Sequence, residues 1–466
     1  MPTGLAYDSR LVERLFGLQA HGTTVRREVL GGVTTFATMA YIIVVNPAIL
    51  SFAGIPVGPS TVATILAAVF GTLLMGLYAN RPIAVAPYMG ENAFVAFGLA
   101  ALGATWPQML GAVFVSGLVF LAVTLLGVRA WLADAVSTSL KHAFAVGIGL
   151  FLALIGLYET GIVTSGAAGV PPPALTGPGG LLRAPDVPLK IGDLRDPRVL
   201  LAVLGFLLIA ILLQRRVRGG LLLGIAATAA VGAATGYGEA PKALAAVPFR
   251  GELSLAPLFL RMDVAGVLRV AFLPALLTLV IMGLLDTLGT LVGVGAAGGL
   301  LDDEGRFPDI GKPMTVDALT CVFAGAVGTT TSGAYIESAA GIREGARTGL
   351  AALTTAALFA ASLFFVPAVA PLQRLRYAYA PALIAVGLLM TASARRVDFD
   401  DLTELVPAFV TIVMMVFTYN VGNGLTAGLL LYPVVKLASG RVREVRGGAW
   451  ALAAISAVYF LFGLPH

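Results

Sequence analysis

The sequence predicts an all-α polytopic membrane protein of fourteen transmembrane segments, arranged as two inverted sets of seven. Three observations predict it: a composition that water cannot solvate, a ladder of apolar runs near membrane length, and a likeness between the two halves of the chain. Of 466 residues, 58% are hydrophobic and 12% are charged, whereas soluble domains carry about 25% charged residues. Charge this sparse cannot cover the surface of a soluble protein of this size. Each apolar run approaches the ~20 residues that a helix needs to cross the hydrocarbon core. Helix is the default there because lipid gives backbone groups no hydrogen-bond partner.

The first set of spans covers residues 29–51, 61–79, 82–102, 108–127, 140–157, 199–214 and 219–236, and the second covers 272–296, 314–327, 329–342, 348–369, 378–394, 406–419 and 422–437. A further apolar stretch, 450–464, fits either an extra span or an interfacial helix. Residues 158–198, mixed in charge and rich in proline, read as a long external loop. Residues 1–28 are polar, with no apolar core of a cleavable signal, so the first span is expected to act as the insertion signal. Arg10, Arg14, Arg26 and Arg27 precede that span; Arg81, Arg129, Lys141, Arg215, Arg216 and Arg218 follow even-numbered spans, and Arg441, Arg443 and Arg446 follow the last. Short loops rich in Lys and Arg stay in the cytoplasm, which places the N-terminus inside. Arg374 and Arg376 break this pattern, because the count puts them outside.

The halves resemble each other in order. Tyr88-Met89-Gly90-Glu91-Asn92-Ala93 aligns with Tyr335-Ile336-Glu337-Ser338-Ala339, Ala145-Val146-Gly147 with Ala385-Val386-Gly387, and Val217, Gly220, Leu221 and Gly224 with Val421, Gly424, Leu425 and Gly428. The spacing between partners falls from 246 to 240 over the first two matches and then to 204 across the long loop present only in the first half. An odd number of spans per half inverts the second, and inverted repeats with a ligand at their interface mark secondary transporters.

The third and tenth segments are broken. Pro82 to Gly90 holds two prolines and ends in glycine, and Gly328 to Tyr335 is rich in Thr, Ser and Gly. Proline removes a backbone donor and clashes with the preceding turn. Both segments read as extended backbone leading into a half-helix, near Glu91 in one and Glu337 in the other. Irregular backbone survives at membrane depth only beside protein or a water-filled cavity, and a half-helix start offers free N–H groups. Two such breaks facing each other make a polar site for a planar ligand with several donors and acceptors. A purely structural re-entrant loop is the plainer alternative.

An acid at mid-membrane costs roughly 2.5–3.5 kcal/mol on insertion scales, so it needs a use or a partner. Asp286 lies deep in the eighth span, and Glu337 and Glu91 sit at the breaks. A carboxylate offers two acceptor oxygens that match adjacent N–H donors of a heterocycle. The candidate contacts are Asp286 and Glu337 together with Gly90, Glu91, Asn92, Ile336 and Ser338. Glu91 is equally placed to cap its half-helix. Thr34, Thr35 and Tyr41 are polar groups of the first span that line the path or simply pack. His142, at the start of the fifth span, reads as interfacial; His21, His142 and His466 lie far apart, and Cys321 is the lone cysteine. No disulfide, zinc site or cofactor is expected.

Several ordered motifs carry a family resemblance. Thr34-Thr35-Phe36-Ala37-Thr38-Met39-Ala40-Tyr41-Ile42 with Val45-Asn46-Pro47, then Met89-Gly90-Glu91-Asn92-Ala93-Phe94, Asp286-Thr287-Leu288-Gly289-Thr290-Leu291-Val292-Gly293, and Tyr335-Ile336-Glu337-Ser338-Ala339-Ala340-Gly341 with Gly345-Ala346-Arg347-Thr348-Gly349 resemble the azaguanine-type adenine/guanine/hypoxanthine permeases. These belong to the nucleobase–cation symporter superfamily with the uracil and xanthine permeases. The resemblance implies core and gate domains: core spans at 29–157 (whose last span opens the gate) and 272–369, gate spans at 199–236 and 378–437. It also implies short antiparallel strands in the third and tenth segments, base contacts at Asp286 and Glu337, and a homodimer joined through the gate. Thr290, four residues after Asp286, stands as in the purine branch and joins the two acids as a coupling position. The purine branch has a second acid where this chain has Gly283, and Glu91 is a candidate to compensate.

The function that follows is import of a purine nucleobase by proton symport, with sodium the alternative cation, across the cell inner membrane. Uracil or another nucleobase is the nearest alternative cargo. An anion carrier of the same fold would favour a neutral or basic centre. An intramembrane hydrolase would need a Ser–His or metal constellation, and no histidine lies mid-span. The formal net charge of +5 is modest and reads as cytoplasmic loop charge, not a nucleic-acid surface.

Overall fold

The structure, a computed structural model, describes residues 5–127, 135–171, 188–238, 240–241, 243–269, 272–301 and 307–462. Arg129, His466 and residues 172–187 of the expected external loop lie outside the described residues. Among the described residues, nine helices are long and apolar enough to cross a membrane, and Gly220–Ala234, Leu402–Phe417 and Gly447–Val458 are shorter apolar helices.

In chain order the principal elements are α1 (Leu5–Phe16), α2 (Val25–Met39), α3 (Ile42–Ser51), α4 (Val57–Leu77), β1 (Val85–Pro87), α5 (Met89–Ala93), α6 (Trp106–Leu125), α7 (Thr138–Glu159), β2 (Val163–Ser165), β3 (Leu189–Ile191), α8 (Pro197–Gln214), α9 (Gly220–Ala234), α10 (Leu273–Gly298), α11 (Gly311–Val327), β4 (Ser332–Ala334), α12 (Ser338–Arg343), α13 (Gly349–Ser362), α14 (Arg376–Met390), α15 (Leu402–Phe417), α16 (Val421–Ala438) and α17 (Gly447–Phe462). The segment read as a polar tail contains α1, with Leu11 and Leu15 exposed and Phe16 buried. The first span starts earlier than residue 29, because Thr24 caps α2 by accepting from the Arg27 N–H. Part of the long loop is a hairpin, β2 pairing antiparallel with β3.

That first span also breaks at Ala40–Tyr41. Pro47 lies inside α3 and has no N–H for the carbonyl of Ile43. Gln373 Nε2 donates to that carbonyl instead, at 2.8 Å, and to Thr61 Oγ1 at 2.8 Å.

Two groups of helices pack mainly among themselves. One holds α2, α3, α4, α6, α10, α11, α12 and α13 with the two broken segments; the other holds α7, α8, α9, α14, α15 and α16. Rings bridge the groups in one chain. Phe52 and Phe97 have centroids 5.5 Å apart, Phe97 and Tyr419 5.6 Å, and Tyr419 and Phe151 5.2 Å. Arg376 lies over Phe52 at 5.3 Å and pairs with Glu159 at 3.3 Å, which accounts for a cation that broke the charge pattern.

The Gly345-Ala346-Arg347-Thr348-Gly349 motif starts α13, and its N–H groups find acceptors from far away. The buried Glu28 carboxylate accepts from the N–H groups of Arg347 (2.7 Å), Thr348 (3.2 Å) and Ala351 (3.2 Å). Asn80 Oδ1 accepts from Gly349 N–H at 2.8 Å. Removing a charged acceptor strands those donors, at about 1–3 kcal/mol for each buried group. Glu28→Ala is therefore expected to lower the melting temperature of detergent-purified protein clearly, with Glu28→Gln intermediate; an unchanged melting curve for Glu28→Ala would refute this role.

Candidate functional site

The two breaks meet. β1 and β4 pair antiparallel, Val85 opposite Ala334, Ala86 opposite Gly333 and Pro87 opposite Ser332. The ladder continues outward as Tyr88 N–H donates to Thr331 O at 3.0 Å and Tyr335 N–H to Ala84 O at 2.9 Å. Pro87 is tolerated because a strand this short demands few donors, and its carbonyl accepts from the Tyr335 hydroxyl. Side chains complete the backbone accounting: Thr72 Oγ1 accepts from Val85 N–H at 3.0 Å, and Ser338 Oγ from Ala84 N–H at 3.0 Å. The rings of Tyr88 and Tyr335 lie nearly parallel, 6.5 Å apart. Gly333 lies so close under the Tyr88 ring that a Cβ would collide with it.

Helices open where the strands end. α5 begins at Met89 and runs through a π-turn, Phe94–Gly98, to Ala101; α12 begins at Ser338. At Gly90 a Cβ would stand 2.5 Å from Ile148 Cγ2 of α7, so only glycine admits this approach of the two packing groups.

Glu91 and Asp286 lie within electrostatic reach of each other, and Glu337 shares with them one neighbouring ring. Tyr335 lies within electrostatic reach of Glu337, Asp286 and Glu91. Glu337 Oε1 accepts from Tyr41 Oη at 2.9 Å, a contact that the break between α2 and α3 makes possible. Ile336 is 53% exposed and lies against α10, where a Cβ on Gly293 would be 3.3 Å from its Cδ1. Thr290, one turn beyond Asp286, is half-buried.

Other named residues have structural partners. Asn92 donates to Asn46 Oδ1 at 2.9 Å; Asn46 donates to Thr64 Oγ1 at 2.8 Å and Thr329 Oγ1 at 3.0 Å. Ser338 is occupied with the ladder. Thr34 is buried in α2, its carbonyl accepting from Thr38 Oγ1 at 3.1 Å. Thr35 packs against Gly341 of α12.

Sequence reasoning missed Asp317. It is wholly buried, and its Oδ2 accepts from Ala334 N–H (2.9 Å), Thr287 Oγ1 (2.9 Å) and Tyr88 Oη (3.3 Å). One carboxylate thus ties β4, the start of α5 and the residue beside Asp286. The signal was available, an acid within the apolar run 314–327, but its neighbours gave no pattern.

Several buried oxygens around this crossing have no hydrogen-bond partner among the described residues: both of Glu91, Asn92 Oδ1, Asp317 Oδ1, Thr330 Oγ1 and Thr331 Oγ1. Carboxylate and amide oxygens accept, and hydroxyls do both. The arrangement therefore suits a ligand rich in N–H donors, or protons.

A family model described as a permease family matches residues 26–425. A putative permease of Methanocaldococcus jannaschii is 40% identical over 97% of this chain and 99% of its own. The adenine permease AdeP of Escherichia coli is 38% identical over 93% of this chain and 92% of its own. The guanine/hypoxanthine permease PbuO of Bacillus subtilis is 36% identical over 92% of this chain and 96% of its own. Among solved structures, the murine Slc26a9 anion transporter in its inward-facing state superposes with a TM-score of 0.59 at 12% identity, covering 92% of this chain and 72% of that one; at that identity the likeness speaks to fold alone. With its helical membrane architecture, its crossed broken segments and these relatives, the chain belongs to this permease family, as a multi-pass relative of adenine and guanine/hypoxanthine permeases.

Proposed function

We propose that this protein imports a purine nucleobase (adenine, guanine, hypoxanthine or xanthine) by proton symport across the cell inner membrane, with the base held between the two breaks by Asp286 and Glu337. The observation that carries the reading is the antiparallel crossing of β1 and β4 with carboxylates gathered at one tyrosine. A flat heterocycle presents adjacent N–H donors to such a carboxylate, and the relatives named for adenine and for guanine/hypoxanthine support that cargo.

In this reading the chain has fourteen spans in two inverted sets of seven and a cytoplasmic N-terminus. The first packing group is the core and the second the gate. Glu337 and Asp286 carry coupling protons, with Thr290 beside them, and two copies join through the gate. Alternating access moves core against gate, and the ring chain through Phe52, Phe97 and Tyr419 closes the outer side. An anion cargo fits poorly, because the centre is acidic.

Uptake of radiolabelled bases by a permease-deficient strain tests this. Cold purines should compete, and an uncoupler should reduce accumulation to simple equilibration. Uptake competed only by uracil would remove the purine assignment, and accumulation indifferent to the uncoupler would remove the proton.

A further inference from the structure

The half-helix that opens at Met89 carries an acid that the hydrogen bonding of the site leaves out. Glu91 is 0% exposed, and neither carboxyl oxygen meets a donor among the described residues. It sits in the first turn of α5 yet does not cap it. Its side chain instead faces α10, where Oε1 stands 3.7 Å from the position of a Cβ on Gly283. Gly283 precedes Asp286 by one helical turn, so the bare face of this glycine is the room into which the Glu91 carboxyl extends. The charges acting on Glu91 are those of Asp286 and Asp317, and Tyr88, Tyr335 and Cys321 are the other ionisable groups that sense it. The buried hydroxyl of Thr331, on the facing break, lies close enough to act on the carboxyl, short of a well-formed hydrogen bond.

An ionised carboxylate without a well-formed hydrogen bond in such a place is costly even after relaxation, and two neighbouring carboxylates disfavour joint ionisation. The acid form removes the charge and lets the carboxyl donate as well as accept beside the Thr331 hydroxyl. We propose that Glu91 is a further proton-carrying carboxyl of the transport cycle, beside Glu337 and Asp286, loaded and unloaded across the bare face of Gly283 together with Asp286. The step is a simple proton transfer: carboxylate and proton give carboxylic acid on one side of the membrane, and the reverse occurs on the other. The proposal rests on the nucleobase–proton reading above and assigns Glu91 to coupling, not to gripping the base.

The test uses full-length protein in proteoliposomes, with adenine, guanine and hypoxanthine as probes. Binding to purified protein is measured alongside accumulation driven by an inside-alkaline pH gradient. Glu91→Gln imitates the proton-loaded acid, so it should bind the base within about threefold of wild type yet lose at least about tenfold of gradient-driven accumulation. Glu91→Leu should lose accumulation likewise. Gly283→Asp in the Glu91→Leu background places a carboxyl in the same space from the opposite wall and should restore a substantial part of it. Accumulation by Glu91→Gln at the wild-type level overturns this proposal alone. So does loss of base binding with an unchanged melting temperature, which makes Glu91 a base contact. Wild-type protein that follows a sodium gradient, or accumulates no base under a pH gradient, overturns both this proposal and the coupling reading beneath it.

Discussion

Replacing Glu337 with alanine is expected to abolish base binding while the protein still inserts and folds. Glu337 stands at the end of β4, where the backbone turns into α12, and Tyr41 Oη donates to one of its oxygens at 2.9 Å. That bond fixes the carboxylate and leaves acceptor capacity for a ligand. Hydrogen bonds to a charged group contribute about 1.5–3 kcal/mol each. Two such bonds to adjacent N–H donors set a loss of roughly a hundredfold or more in affinity. Glu337→Gln should also fail, because its amide turns a donor toward donors. Titration calorimetry on purified protein, with melting curves as the folding control, decides the matter; full transport by Glu337→Ala would reject the assigned role.

The second large effect concerns stability. Asp317→Ala leaves the Ala334 N–H, the Thr287 hydroxyl and the Tyr88 hydroxyl without their shared buried acceptor. Each stranded group costs about 1–3 kcal/mol, and these losses fall on the crossing itself. The expected outcome is little folded protein, and a strongly lowered melting temperature in what remains. Asp317→Asn keeps one carbonyl acceptor and should recover part of the loss. An Asp317→Ala variant that melts like wild type would show that the strands hold without it.

How much could be read from the chain follows from how local each cause is. Pro82, Pro87 and Gly90 forbid a continuous helix within their own neighbourhood, so the third segment was legible, as was the Thr, Ser and Gly run that becomes β4. Asp286 and Glu337 stood out because charge in an apolar run is costly wherever it points. The break at Tyr41 was not legible, because a stretch without a disrupting residue at that point gave no sign of it. Glu28 as the cap of α13 was equally hidden, since its partners lie 319 residues or more away. Asn92 read as a ligand contact, and only the fold reveals that its amide nitrogen is already committed to Asn46. For Glu91 the sequence left a cap and a contact open; the side chain faces Gly283 and does not cap.

The bond from the Tyr335 hydroxyl to the Pro87 carbonyl joins residues 248 positions apart. Ribosomes add about 5–20 residues per second, so the first break waits on the order of ten seconds or longer for the strand that completes it. Throughout that interval Asn46 and Asn92 have each other and Thr64, but Thr329 and the strand that faces Glu91 are still unmade. Premature termination anywhere before residue 334 leaves this polar knot permanently open, a lesion that quality-control proteases and insertion machinery meet as exposed hydrogen-bonding groups within lipid.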